Sequence, residues 1–256
     1  MRIIDVHTHP IFSDIGRSEA GIQKVIAYGR AHGVERMITL GDVLYYGMTP
    51  NAEQLVKLND ENGRLQLRYP DYFVSFCYLN PTLGERAVMG EIERCVTRYG
   101  VRGIKLEVAN NAAHSYMRHI AKAARTFNLT VLQHSWSTTH IGDRKHQSDP
   151  EDTASFARKY PDVRIIMAHL VGIGYRGVLA AKGLPNLYVD TSGGFPEEGL
   201  IEYAVEHLGA DHVLYGSDLP IRELSVKIGS ILSANLTAAA KRQILGGNTA
   251  RLLNLN

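Results

Sequence analysis

The 256-residue chain has few cysteines and no long apolar run. Its two cysteines, Cys77 and Cys95, stand in an apolar stretch and a helical pattern, without the close spacing of a metal-binding pair. We therefore expect reduced, packed thiols, as in a cytoplasmic protein, and no disulfide framework. No apolar run approaches the roughly 18 residues of a transmembrane helix, and no signal peptide precedes the first strand pattern. A cytoplasmic location without a membrane partner is therefore expected.

A strong charge of one sign is also lacking. Lys and Arg number 28 against 26 Asp and Glu, so the net charge is +2 and nucleic acid is not an expected partner. No glycine-rich phosphate loop follows the first strand pattern, and no low-complexity segment or linker divides the chain. With 45% hydrophobic and 21% charged residues, the composition is typical of a globular protein. We expect a single domain over residues 1–256.

What the sequence does contain is a strand pattern that recurs eight times in alternation with helical patterns. The strand patterns cover residues 3–8, 36–41, 72–79, 101–107, 129–135, 163–170, 186–192 and 212–218. They are short and rich in Val, Ile, Tyr and Phe, as strands buried on both faces should be. Two helices follow the last strand, at roughly 222–233 and 237–253. This alternation predicts an α/β fold, a single (β/α)8 TIM barrel with C-terminal helices, and disfavours its main competitor, a doubly wound open sheet.

Polar residues stand where these strands end. In DVHTH, Asp5, His7 and His9 share one face of a strand at successive spacings of roughly 7 Å, and two imidazoles on one face can bind one metal ion. Active sites of such barrels lie at the carboxyl ends of the strands. Four of the chain's 11 histidines stand at predicted strand ends, together with one aspartate: His7, His9, His134, His169 and Asp218. Because buried polar groups need partners, the pattern predicts a divalent metal site. Nitrogen and oxygen donors suit zinc first, and also manganese, iron, cobalt or nickel.

The motifs DVHTHP, GIKLE, VLQHS, IIMAHLVG, VDTSGG, YGSDLP and ILGGNTARLL occur in this order over nearly the whole chain. In this ordered set the chain resembles the amidohydrolase superfamily, in particular the branch called amidohydrolase family 2. The resemblance implies a barrel with one or two metal ions, held by His7, His9, His134 and Asp218. It also implies that Asp218 relays the proton of a metal-activated water, and that His169 binds metal or polarises the substrate carbonyl.

Strand 4 departs from the commonest pattern of this branch. Many relatives read I-K-L-H, whereas this chain reads Ile104-Lys105-Leu106-Glu107. Three interpretations stay open: an ion pair of Lys105 with Glu107 beside a single metal, Glu107 as a metal ligand, or a carbamylated Lys105 bridging two metals.

Candidate substrate-binding residues lie in loops that follow the strands. The loop after strand 5 offers Trp136, Arg144 and Lys145; Tyr45 follows strand 2 and Arg176 follows strand 6. The cations can bind an anionic substrate and the aromatic rings can line an organic pocket. We assign no catalytic role to the small residues at 191–194.

These features predict a metal-dependent hydrolase whose activated water attacks an amide, ester, lactone or related carbonyl of a small organic substrate. The alternative is a metal-dependent non-oxidative decarboxylase of an aromatic or unsaturated carboxylic acid, since relatives of that kind occur in the same branch. A catalytically silent ligand-binding barrel is disfavoured because His7, His9 and Asp218 are all present. The expected partner is a small-molecule substrate, and the oligomeric state, a homodimer included, stays open.

Overall fold

A computed structural model describes residues 1–137 and 147–255. Within these ranges eight parallel strands form one sheet in sequential order. The strands are β1 (Ile3–Thr8), β2 (Val34–Thr39), β3 (Phe73–Tyr78), β4 (Gly103–Leu106), β5 (Thr130–Gln133), β6 (Ile165–Met167), β7 (Leu187–Asp190) and β8 (Val213–Leu214). Most of their residues are apolar and nearly all are buried, as expected of strands covered on both faces.

The sheet closes on itself between β8 and β1. The backbone N–H of Val6 donates to the carbonyl of Tyr215 at 2.9 Å, and that of Asp218 donates to the carbonyl of His7 at 2.8 Å. Farther along, the N–H of His9 donates to the carbonyl of Leu219 at 2.7 Å. The predicted (β/α)8 barrel is therefore confirmed, and its closure places the ends of β1 and β8 side by side.

Helices surround the barrel, and the described ones are α1 (Glu19–Ala31), α2 (Val43–Tyr46), α3 (Ala52–Arg68), α4 (Glu85–Tyr99), α5 (Met117–Phe127), α6 (Pro150–Lys159), α7 (Leu170–Ala181), α8 (Leu200–Leu208), α9 (Leu224–Ser233), α10 (Ala238–Arg242) and α11 (Asn248–Leu253). Short 3₁₀ helices occupy Pro81–Leu83 and Ala210–His212. The predicted C-terminal helices are present, but the second is interrupted by a π-helical turn at Gln243–Gly247. A Cβ atom on Gly246 would lie 2.6 Å from the carbonyl oxygen of Arg2, so glycine lets this turn pack directly on the chain leading into β1.

Two apolar clusters support the barrel. One contains buried side chains of strands that are not neighbours in the sheet, such as Ile38, Leu132 and Leu214, and therefore fills the barrel interior. The larger cluster joins the outer faces of the strands to the surrounding helices. No helix in the described ranges has the length and apolar character needed to cross a membrane.

Several strands are shorter than their sequence patterns. The pattern at 101–107 predicts a longer strand than the observed β4, Gly103–Leu106. The pattern at 212–218 likewise exceeds the observed β8, Val213–Leu214. The polar residues at the ends of these patterns leave the ladder and turn toward the mouth of the barrel. Their side chains, rather than their backbone, then form the site described next.

Candidate metal centre

Three buried side chains converge where β1 and β8 meet. His7 Nε2 lies 3.6 Å from Asp218 Oδ1, and His9 Nε2 lies 3.7 Å from the same oxygen. These distances are too long for hydrogen bonds, yet all three donor atoms lie within 4.8 Å of one another. His7 Nε2 is buried and makes no hydrogen bond to any described residue. An orphaned imidazole nitrogen beside a second imidazole and a carboxylate fits a divalent metal ion.

The other nitrogen of each imidazole is already engaged. His9 Nδ1 lies 2.5 Å from the carbonyl oxygen of Gly41, which can only accept, so this nitrogen carries the proton. His7 Nδ1 lies 2.9 Å from Asp190 Oδ2. Burial lowers the pKa of His9 to about 4 and that of His7 well below its usual value. Both rings are therefore neutral near pH 7, with the Nε2 lone pair available to a metal.

Asp218 lies in the loop after β8 with a backbone φ of 68°, a left-handed conformation that is uncommon for aspartate. Hydrogen bonds on both sides hold it there: its N–H donates to His7 O, and its carbonyl accepts from Arg222 N at 3.0 Å. Burial raises the pKa of its carboxyl group to about 7, although the charge of Lys105 opposes that rise. Asp218 can therefore hold or release a proton near neutral pH.

The two remaining candidate histidines complete the ring of imidazoles. His169 follows β6 with a φ of 70°, and its ring centroid lies 4.7 Å from that of His7 and 4.3 Å from that of His134. His134 Nδ1 lies 2.5 Å from Glu107 Oε1, and its side chain is 22% exposed, which places it nearest the mouth. The structure therefore brings all four strand-end histidines and Asp218 together.

Strand 4 supplies an ion pair to this site. Lys105 Nζ lies 3.7 Å from Glu107 Oε2 and is fully buried, with no hydrogen bond to a described residue. Burial by itself would raise the pKa of Glu107, but its interactions with His134 and with Lys105 outweigh burial and lower it. The clusters of possible metal donors that the described residues form around His7 do not include Glu107. The ion pair of Lys105 with Glu107 is therefore present in the structure, and Glu107 also contacts His134.

The end of β7 contributes Asp190, which the sequence did not single out, and Ser192, which belongs to the stretch to which we assigned no catalytic role. Asp190 accepts a hydrogen bond from His7, and the Ser192 hydroxyl lies 3.1 Å from His7 Nδ1 and 3.0 Å from His169 Nδ1. Both side chains are completely buried. Residues 190 and 192 are same-face positions at a strand end. The same spacing singles out His7 and His9, so it could have identified this pair from the sequence.

A comparison with protein-family models matches residues 4–255 to the family described as Amidohydrolase. The chain belongs to the amidohydrolase family. The match covers nearly the whole sequence and agrees with the ordered motifs, so the resemblance to this superfamily of metal-dependent enzymes is confirmed. A comparison with curated proteins found no match.

Solved structures share the fold of this amidohydrolase over its full length. They include the 2,6-dihydroxybenzoate decarboxylase from Rhizobium, at 17% identity and a TM-score of 0.78, covering 100% of this chain and 99% of that one. The 5-carboxyvanillate decarboxylase from Sphingomonas paucimobilis has 15% identity and a TM-score of 0.76, with 100% and 99% covered. A dihydroxybenzoic acid decarboxylase from Polaromonas sp. JS666, with bound manganese and 2-nitroresorcinol, has 16% identity and a TM-score of 0.77, with 99% and 97% covered.

The loops around the mouth of this amidohydrolase place one predicted substrate residue beside the cluster. The Trp136 ring lies 5.6 Å from that of His169 and is 37% exposed. A Cβ atom on Gly172 would lie 2.6 Å from the Trp136 ring, so glycine allows the indole to pack here. Arg144 and Lys145 lie outside the described residues.

The other two predicted substrate residues make contacts elsewhere. Tyr45 is 65% exposed and lies under the Arg17 guanidinium, at 4.1 Å from its ring centroid. Arg176 forms ion pairs with Asp149 at 2.8 Å and Glu151 at 2.6 Å. The structure therefore places neither residue in contact with the histidine cluster.

A cation that sequence reasoning missed lies close to Asp218. Arg222 donates through Nε to the carbonyl of Gly193 at 3.2 Å, and its guanidinium lies 5.8 Å from the ring centroid of Phe195. Burial raises the pKa of Asp218, and the charge of Arg222 opposes that rise. The GSDLPIR sequence offered a signal, because it places a cation four residues after the predicted ligand in the same strand-end segment.

Proposed function

We propose that this member of the amidohydrolase family is a metal-dependent, non-oxidative decarboxylase of a small aromatic or unsaturated carboxylic acid. The observation that carries the proposal is the buried His7–His9–Asp218 cluster, set in a fold shared along its full length with decarboxylases of hydroxylated benzoic acids. The hydrolase that we expected first and this lyase use the same side chains. The structural likeness therefore favours the decarboxylase over the hydrolase.

The proposed metal ligands are His7, His9 and Asp218, with His134 or His169 as a further ligand. A divalent ion there would supply a Lewis acid that polarises the substrate's oxygen atoms. Zinc and manganese both suit these nitrogen and oxygen donors, and the manganese of the Polaromonas enzyme supports the second. The neutral imidazoles described above are in the protonation state that metal binding needs.

Asp218 would act as the proton carrier. Its Oδ1 faces His7 and His9, whereas its Oδ2 is the oxygen nearest His169, at 4.0 Å from Nδ1. The Oδ2 proton passes to the ring carbon that carries the carboxylate. The bond from that carbon to the carboxylate then breaks, its electron pair restores the unsaturated system, and carbon dioxide leaves. Asp218 regains a proton from solvent, so the net reaction replaces the carboxylate by hydrogen.

The walls of the site suit an anionic, planar substrate. Trp136 can stack with an aromatic ring next to His169. Arg222 can bind a carboxylate or phenolate with the guanidinium hydrogens that its bonds to the carbonyls of Gly193 and Ile221 leave free. We propose these two residues, together with the predicted Arg144 and Lys145, as the substrate-binding residues.

Hydrolysis remains the second candidate because the family itself is described as Amidohydrolase. In that reaction Asp218 would accept a proton from water instead of donating one to carbon. The two reactions differ in their products, which makes them separable by one assay.

The test is product analysis with the purified, metal-loaded protein. It is incubated in D₂O with 2,6-dihydroxybenzoate or 5-carboxyvanillate, and with an ester and a lactone panel. Release of carbon dioxide together with one deuterium at the former carboxylate carbon supports the decarboxylase. Incorporation of ¹⁸O from labelled water into an acid product, without carbon dioxide, would overturn it in favour of the hydrolase.

We also propose that the whole chain forms one catalytic domain that works in the cytoplasm. All strands of the described residues belong to one sheet, and Cys77 and Cys95 are buried free thiols, which supports both statements. The proposed partner is a small-molecule substrate.

A further inference from the structure

A carboxylate and a hydroxyl at the end of β7 connect two of the histidines from behind. Asp190 Oδ2 lies 2.9 Å from His7 Nδ1. Asp190 Oδ1 accepts from the backbone N–H of His169 at 3.1 Å and of Ser192 at 3.0 Å, and from the Ser192 hydroxyl. All these atoms belong to completely or almost completely buried residues, so water does not compete for them.

The hydrogens in this network can be arranged in one consistent way. A carboxylate only accepts, so His7 must donate through Nδ1 to Asp190, and Ser192 must give its single hydroxyl hydrogen to the same carboxylate. The Ser192 oxygen is then left as an acceptor, and its partner at 3.0 Å is His169 Nδ1, which must carry a hydrogen as well. Both imidazoles are therefore Nδ1–H tautomers, and the Nε2 lone pair of each is free.

The loop that carries Ser192 is built for this close approach. Gly193 has a φ of 97°, and a Cβ atom there would lie 2.5 Å from the carbonyl oxygen of Val171 and 2.9 Å from the Cβ of His169. Gly194 N donates to Val171 O at 2.5 Å. The two glycines after Ser192 thus let the loops after β6 and β7 touch, which brings the hydroxyl to His169.

A second metal site made of His7, His169 and Asp190 is the competing interpretation, since their donor atoms also lie within 4.8 Å of one another. The Ser192 oxygen already lies within 3.1 Å of His7 Nδ1 and within 3.0 Å of His169 Nδ1. The distances between Asp190, Ser192 and the two imidazoles are those of hydrogen bonds, and each acceptor has a donor. In this arrangement Nδ1 of each imidazole carries a hydrogen and so offers no lone pair to an ion between His7, His169 and Asp190.

We propose that Asp190 and Ser192 are positioning residues that hold His7 and His169 as Nδ1–H tautomers and so direct both Nε2 atoms into the site. The part that concerns metal affinity rests on the proposed ligand role of His7. The tautomers themselves exist without metal and are independent of the reaction. Hydrogen bonds of this kind behind a ligand are typically worth a factor of about 10–100 in metal affinity.

The first experiment uses ¹⁵N-histidine NMR of the full-length, metal-free protein, which distinguishes protonated from unprotonated ring nitrogens. The parent should show His7 and His169 protonated at Nδ1 only. Asp190→Asn replaces an acceptor by an amide that can donate, so the His7 tautomer should change. Ser192→Ala removes the hydroxyl, so His169 should become a mixture of tautomers while His7 keeps its pattern. Unchanged ring-nitrogen signals in both variants would overturn the proposal.

The second experiment titrates Mn²⁺ or Zn²⁺ alone into the same proteins and measures the dissociation constant and the number of ions. Asp190→Asn should weaken binding about 10- to 100-fold without changing the number of ions. Affinity within threefold of the parent, or the loss of one of two ions, would contradict the positioning role.

Thr191→Val is the matched control. Thr191 is also buried, and its hydroxyl accepts from Gly216 N at 3.1 Å and contacts Gly216 O, but neither histidine. This variant loses a neighbouring hydroxyl and should keep both the parent tautomers and the parent affinity. Circular dichroism confirms folding of each variant, and Ser192→Ala tests the network even where Asp190→Asn does not fold. A parent that binds no metal but shows the two tautomers would refute the proposed function and leave the tautomer assignment standing.

Discussion

At the scale of single residues, the histidines of this site each have one nitrogen held by an oxygen. The partners of Nδ1 are Asp190 for His7, Gly41 O for His9, Glu107 for His134 and Ser192 for His169. Four different partners thus produce one result, an Nε2 atom available at the mouth of the barrel. The protein fixes which nitrogen is free before any ligand arrives, so less ordering is needed on binding.

We predict that His7→Ala removes most of the bound metal and activity while the barrel remains folded. Its Nε2 has no hydrogen-bond partner among the described residues, so truncation removes a ligand atom there. The bond from Nδ1 to Asp190 is lost as well, but Asp190 keeps the backbone N–H groups of His169 and Ser192. Metal content and circular dichroism measure the two effects. His32→Ala is the control, because His32 ends α1 at the opposite end of the barrel and should leave the metal in place. Full metal content in the His7 variant would contradict the ligand role.

We predict that Asp218→Asn keeps part of its metal but loses about two to four orders of magnitude in turnover, the usual value of a positioned proton-transfer group. The amide oxygen can still face His7 and His9, but the group can no longer carry a proton. Steady-state kinetics beside metal analysis provide the measurement. A rate within tenfold of the parent would assign the proton to another group, with His169 the first to test.

We predict that Glu107→Gln lowers stability without changing the number of bound ions. The substitution leaves the fully buried Lys105 charge without its partner, which typically costs about 3–5 kcal/mol. Denaturant unfolding measures the loss, and the double variant Lys105→Met with Glu107→Gln should recover much of it. A fall from two ions to one would instead support the ligand role of Glu107 that the sequence left open.

At the scale of elements, the loops that follow the strands contribute to the site together with the strand ends. His169 and Asp218 both lie just beyond a strand, in left-handed backbone conformations that cost energy for residues other than glycine. Hydrogen bonds to neighbouring segments hold these conformations, as with Asp218 N to the carbonyl of His7 in β1. Strained backbone conformations that are held in place by several surrounding contacts are typical of functional sites.

We predict that Gly193→Ala is more destabilising than Gly183→Ala, although both glycines have positive φ. An alanine at 183 meets nothing within 4 Å and incurs only the left-handed backbone cost of about 1–2 kcal/mol. An alanine at 193 also collides with Val171 O and the Cβ of His169. Denaturant unfolding of both variants and metal titration check this. Equal losses of stability, with unchanged metal affinity at 193, would show that the loop contact does not support the site.

At the scale of the whole molecule, the barrel joins ligands that lie far apart in the chain. His7 and Asp218 are separated by most of the sequence and meet only because β8 pairs with β1. A bound ion would therefore connect the first and last strands at the mouth of the barrel. Its binding free energy adds to the stability of the closed barrel.

We predict that removing the metal lowers the melting temperature without changing the fold. At a metal concentration of 100 times the dissociation constant, binding adds about 2.7 kcal/mol, or about 5–10 °C for a chain of this size. Thermal unfolding with chelator and with added Mn²⁺ or Zn²⁺ measures the shift. The His7→Ala variant should show no such shift, whereas the His32→Ala control should show all of it.

The sequence by itself determined the barrel and the identity of the converging side chains. Eight apolar strand patterns alternating with helical ones admit few folds, and the carboxyl ends of parallel strands in a closed barrel face one mouth. His7, His9, His134, His169 and Asp218 could be named on that basis, since strand-end position is a property of the local sequence.

Only the tertiary structure decided how those residues are connected. Which oxygen meets which Nδ1 depends on loop paths and on barrel closure, and a loop's path is not periodic in the sequence. For that reason the sequence did not distinguish Asp190 and Ser192 from other strand-end residues. For the same reason it predicted that Arg176 binds an anionic substrate, whereas Arg176 forms ion pairs with Asp149 and Glu151. The role of Glu107 was open for the same reason: strand alternation placed it beside Lys105, but only packing brought its second oxygen to His134.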